Sequence, residues 1–111
     1  MIEVNNLTKE KVDEKFLEKV AKIVLTGERK TETDLSIALV GQERIKELNK
    51  KYRRKNKATD VLSFSYGEVV ICLDKVEKGG LARVLIHGIL HALGFKHKEM
   101  KIKEDYYLNK I

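Results

Sequence analysis

Between Val12 and Val24 the apolar positions Val12, Phe16, Val20, Ile23 and Val24 recur at steps of one, three or four, with charged residues among them. That spacing predicts an amphipathic helix, opened by Thr8 as its N-cap and closed at Gly27. Ahead of it, "IEV" reads as a short first strand. The stretch "DLSIALV" (34–40) is dense in apolar and β-branched residues and short enough for a strand. From Gln42 to about Lys51, Ile45 and Leu48 give one apolar stripe on an otherwise charged helix. "VLSFSY" and "EVVICL" read as two strands broken at Gly67, the pattern of a hairpin, and "EKGG" (77–80) as a loop. "LARVLIHGILHALGF" (81–95) is apolar nearly all round, which predicts a helix buried on most faces. The tail from Lys98 is charged but carries Ile102, Tyr106 and Leu108, which predict a short closing helix. Strands interleaved with helices in this order predict an α+β fold, a small mixed sheet with helices packed around it.

At 111 residues the chain suits one domain with one core, spanning 1–111. Cys72 is the only cysteine and lies inside an apolar run, so no intramolecular disulfide and no disulfide-linked partner is expected. The N-terminus has no basic start followed by an apolar segment, and no apolar run approaches the roughly 20 residues that span a bilayer. A cytoplasmic protein with no membrane partner is the expectation.

All three histidines fall within "HGILHALGFKH" (87–97). A four-residue step turns a helix by about 400°, so His87 and His91 point the same way, one turn apart. Gly94 suits a left-handed residue that ends the helix and turns the chain back, which lets His97 swing under the pair. The predicted metal site therefore lies on a buried helix and the turn after it. Three imidazoles with a fourth position left open make a catalytic type of site for one divalent ion, zinc first among candidates. Cys72 is a conceivable fourth ligand, although a thiol in an apolar strand is more often ordinary core. The bland reading, three separately hydrogen-bonded core histidines, needs three partners where one ion serves all. Gly88 stands where an H-E-x-x-H protease carries its general base, so peptide hydrolysis by that route is disfavoured. A metal that lowers the pKa of bound water to about 7 needs no such neighbour, and a phosphodiester suits such a site.

Charge sharpens this picture. Net charge is +6, and residues 42–57 hold all of it, with 8 Lys or Arg against 2 Glu. One concentrated block, with Tyr52 inside it, suggests nucleic acid or phosphate; the competing reading is a solvated helix end.

These residues resemble the YbeY family, bacterial endoribonucleases of ribosomal RNA maturation. "HGILHALGFKH", "LNKKYRRKNKATDVLSF" (48–64) and "GEVVICLD" (67–74) match three family blocks in the right order. The resemblance implies a metal-dependent, single-strand-selective endoribonuclease acting on the 16S rRNA 3′ end and in ribosome quality control, with rRNA and the small ribosomal subunit as partners. It implies His87, His91 and His97 as ligands and Arg53 as the residue engaging RNA phosphate beside the ion. Arg54, Lys55 and Lys57 would add backbone contacts. Departures from the family pattern are Lys96 where Asp is common, Ala58 and Ser65 where prolines are usual, Glu68 for Asp, and a shorter segment before the histidine helix. Asp60, Glu68 and Asp74 are carboxylates in the matched blocks, and none is singled out as a general base. Ser63 and Tyr52 either line the cleft or pack. The competing function is a non-catalytic ribosome- or RNA-binding factor with a structural metal.

Overall fold

Alternation along the strands decides how the molecule is layered. In β2 (Leu35–Val40), Leu35, Ile37 and Leu39 point to one face, while Ala38 and Val40 point to the other. In β4 (Glu68–Cys72), Val69 and Ile71 join the first set, and Val70 and Cys72 the second. Both faces of these central strands are apolar, as a sheet covered on both sides requires. The computed structural model describes residues 1–111. The four strands lie in the order β1-β2-β4-β3, with β1 (Ile2–Asn6) and β4 parallel to β2. β3 (Val61–Phe64) runs antiparallel to β4 on the edge, so the sheet is mixed and the fold α+β, as expected.

Helices α1 (Glu14–Gly27), α3 (Leu81–Ala92) and α4 (His97–Leu108) supply the larger core on one face. α2 (Gln42–Arg53) covers the other through Ile45, which packs in one small cluster with Val40, Leu62, Val70 and Cys72. The β3–β4 hairpin turns at Phe64–Gly67, closed by Gly67 N–H donating to Phe64 C=O at 2.9 Å. Gly67 has φ +105°, and a Cβ there would meet the Asp34 carbonyl. Ser65 sits at the second position of this turn, where proline is also favoured.

Three expectations need correction. Thr8 does not cap α1: its N–H and hydroxyl both donate to Asn6 Oδ1, holding a bend. Asp13 caps instead, accepting from Phe16 N–H at 3.0 Å, and Val12 packs on the core from just outside the helix. The histidine helix stops at Ala92, three residues early. Its end is a Schellman motif, with Gly94 N–H donating to His91 C=O at 3.0 Å and Phe95 N–H to Leu90 C=O at 3.1 Å. Lastly, the closing helix is 12 residues long and starts at His97, so that histidine opens a helix and does not lie in a turn. Its buried face is Met100, Glu104 and Tyr107, whereas Ile102 and Tyr106 are exposed. A buried carboxylate on that face conceals the helix's orientation from any count of apolar positions.

Gly88 is where α3 meets the sheet. A Cβ at this position would lie 2.6 Å from Val69 Cγ1 and 3.0 Å from Val61 Cγ2. Glycine at this position is thus a packing requirement, and a glutamate there would be driven into the sheet. Gly88→Ala is expected to lower stability by about 1–3 kcal/mol, read as a fall in melting temperature; an unchanged melt would contradict the close approach.

Candidate functional site

α3 carries His87 and His91 one turn apart, and the Schellman turn returns the chain so that His97 begins α4 beside them. The ring centroids are 5.1 Å (His87–His91), 5.9 Å (His87–His97) and 5.0 Å (His91–His97) apart. One nitrogen from each lies within 4.8 Å of the others, so the cluster could hold a metal ion. Cys72 is buried on the opposite face of the sheet, in the α2 core, and is excluded as a fourth ligand.

A fourth residue completes the cluster and was not legible in the sequence. Glu104, on α4 and only 8% exposed, sets Oε2 2.9 Å from His87 Nδ1. An ionised carboxylate accepts and cannot donate, so this contact puts the ring proton on Nδ1 and leaves the Nε2 lone pair free. The other oxygen of Glu104 accepts from Arg83 Nη1 at 3.4 Å, and Arg83 Nη2 donates to Asp105 Oδ1 at 3.0 Å. His91 has its pKa lowered, by burial first and then by the neighbouring His87, His97 and Arg53. Both effects favour neutral imidazole, the form that ligates.

α4 is itself fastened from a distance. Glu28, just past α1, accepts from Lys103 Nζ at 3.1 Å and from the Tyr107 hydroxyl. Gly27 permits this: a Cβ there would collide with the Tyr107 ring. The C-terminal end of α1 thereby sets the position of the helix that brings both His97 and Glu104 to the site. Lys96 is the N-cap of α4 and makes no side-chain cap. An aspartate at this position could accept from the first-turn N–H groups, which lysine cannot do.

Arg53 ends α2, on the opposite face, and reaches round the sheet's edge. Its Nη2 donates to the Ser63 carbonyl of edge strand β3 at 3.2 Å, and its charge is felt at His91. Ser63 Oγ donates to the Gly88 carbonyl at 2.7 Å, tying β3 to the histidine helix. Arg54 adopts a left-handed conformation (φ 57°, ψ 31°) that ends α2. Lys55 and Lys57 follow in an exposed loop pinned by buried Asn49, whose Nδ2 donates to the Lys57 carbonyl at 2.9 Å.

The sequence-derived carboxylates stand elsewhere. Asp60 closes the sheet through its backbone, accepting from Cys72 N–H at 2.8 Å. Glu68 accepts from the Tyr66 hydroxyl, and Asp74 lies in the 3-10 turn Leu73–Lys75, in a pocket with Leu7, Thr8 and Gly41. None of the three belongs to the histidine cluster.

Three convergent imidazoles on α3 and α4 form a cluster that could hold a metal ion, with an arginine over the neighbouring sheet edge. The sequence profile named Endoribonuclease YbeY matches residues 3–110. The chain belongs to that family, and so to a class of RNA-hydrolysing enzymes. It is 34% identical to Endoribonuclease YbeY of Aquifex aeolicus, with 95% of this chain and 88% of that one covered. It is 32% identical to Endoribonuclease YbeY of Aliarcobacter butzleri, with 100% and 92% covered. The solution structure of a Thermotoga maritima protein superposes with a TM-score of 0.62 at 28% identity, covering 97% of this chain and 87% of that one. The Aquifex alignment runs over 132 positions against 111 residues here, so that relative carries segments this chain lacks. Between β4 and α3 this chain has only the 3-10 turn and a short loop. No helix is long and apolar enough to cross a membrane.

Proposed function

We propose that residues 1–111 form one metal-dependent, single-strand-selective endoribonuclease domain acting in rRNA maturation at the 16S 3′ end and in ribosome quality control. The observation that carries this reading is the convergence of His87, His91 and His97 beside Arg53, on an edge flanked by Arg54, Lys55 and Lys57. His87, His91 and His97 would hold one divalent ion, zinc by the chemistry of an all-imidazole set with no sulfur or carboxylate among the ligands. When bound, the ion supplies Lewis-acid polarisation of phosphate and a nucleophile at neutral pH. Glu104 keeps His87 in the ligating tautomer, and the Arg53 fork neutralises charge developing on the phosphate. Arg54, Lys55 and Lys57 hold the strand through its backbone without reading sequence. Small-subunit rRNA is the partner, and the cytoplasm the compartment, that the family resemblance and the lone buried thiol support.

The competing reading, a binding factor with a structural metal, is disfavoured because Cys72 is on the wrong face and the cluster offers only three protein ligands. The test is an end-labelled RNA presented to zinc-loaded protein as a single strand and as a duplex. Cleavage of the strand with sparing of the duplex is expected. Binding without cleavage of either would establish the non-catalytic factor, and equal cutting of both would remove the single-strand preference.

A further inference from the structure

Beside the basic block the fold presents three aromatic rings in contact. Tyr52, on the last turn of α2, meets Phe64 of β3 edge-on at 5.2 Å, and Phe64 stacks on Tyr66 at 5.5 Å with 23° between planes. The two outer rings are open to solvent: Tyr52 is 53% and Tyr66 73% exposed. The row lies on the α2 face, where Phe64 packs against the α2-side core, and it meets the site at the β3 edge, where Arg53 and the histidine helix are both bonded to Ser63. We infer that Tyr66, backed by Phe64 and Tyr52, is a base-stacking platform for the single-stranded RNA held at the histidine cluster; this rests on the nuclease reading above.

Three features support the assignment. Stacked bases repeat about every 3.4 Å, so insertion between Phe64 and Tyr66 would need roughly twice that, and their 5.5 Å spacing admits none. A base therefore adds to the open outer face of Tyr66. The ring is held in place by its hydroxyl, which donates to Glu68 Oε1 at 2.9 Å, so little freedom is lost when a base lands on it. Charge is also divided along the row. Arg53, Arg54 and Lys51 gather near Tyr52, whereas around Tyr66 the acids Glu3, Asp34 and Glu68 are accompanied by the N-terminal ammonium, paired with Asp34, and by Lys30. Phosphates are thus drawn most strongly to the α2 end, which leaves the Tyr66 ring for a base. A duplex keeps its bases paired inside and cannot use this surface, which gives single-strand selectivity a physical cause.

The experiment is fluorescence anisotropy with a short labelled single-stranded RNA and its counterparts carrying one abasic residue at each position in turn. Tyr66→Ala is expected to weaken binding about tenfold, and Tyr66→Phe to stay within about twofold of the native protein. The slope of affinity against salt should be unchanged in Tyr66→Ala, since stacking releases no counterions. One abasic position should cost the native protein the same factor and cost Tyr66→Ala nothing more. Equal affinity of Tyr66→Ala and native protein, or equal abasic losses in both, would overturn the platform while His91-dependent cleavage leaves the nuclease standing. Native protein that binds no RNA at any salt would overturn both.

Discussion

Replacing His91 by alanine is expected to remove cleavage of single-stranded RNA, a loss of more than about 100-fold, and to remove stoichiometric zinc. The two losses come from one cause. His91 is the middle member of the cluster, with its ring about 5 Å from both partners. Two imidazoles on separate helices hold a divalent ion far more weakly than three. The fold should survive, because His91 leaves the α3 core to Leu85, Ile86, Ile89 and Leu90. Circular dichroism and metal analysis on the same preparations separate these effects. Cleavage retained by a folded, zinc-free His91→Ala protein would sever the activity from the histidines.

Glu104→Ala is expected to reduce zinc affinity by about 10–100-fold with the three imidazoles untouched. Without the carboxylate, nothing fixes the proton on His87 Nδ1, and the ring is free to turn away from the site. Arg83 also loses its partner on the buried side, which tips the local charge against a cation. Glu104→Gln is the informative companion: an amide oxygen still accepts from Nδ1 but brings no charge, so its affinity should fall between the two. Competition with a chromophoric chelator gives these affinities directly. Equal zinc affinity in Glu104→Ala and native protein would show that the 2.9 Å contact has no part in ligation.

What the sequence disclosed and what it withheld divide along physical lines. The strands were legible because apolar and β-branched runs between turn signals have few other structures open to them. The histidine cluster was legible because a helical step of four, followed by Gly94, fixes geometry within a single local segment. Glu104 was hidden for the opposite reason: its partner His87 is 17 residues away, across a turn whose geometry no periodicity describes. It also looks like any other charge in "HKEMKIKEDYYL", and the apolar residues Ile102 and Tyr106 point to the wrong face. The reach of Arg53 to strand β3 at the sheet edge, and the Glu28 anchor for α4, are likewise contacts between separate elements. The cap of α1 was misread because Thr8 and Asp13 are both good N-caps, and only the Asn6 bend decides between them. Gly88 could be read as a missing catalytic base but not as a packing requirement, since Val69 and Val61 lie on strands distant from it in sequence.

In the proposed mechanism an ion held by His87, His91 and His97 makes this protein a ribonuclease. The most direct measurement is cleavage of an end-labelled single-stranded RNA by protein stripped with a chelator, then titrated with zinc. The stripped protein is expected not to cleave, with full recovery near one equivalent. Stripped protein that cleaves as fast as the reloaded sample, with metal analysis verifying removal, would contradict that mechanism.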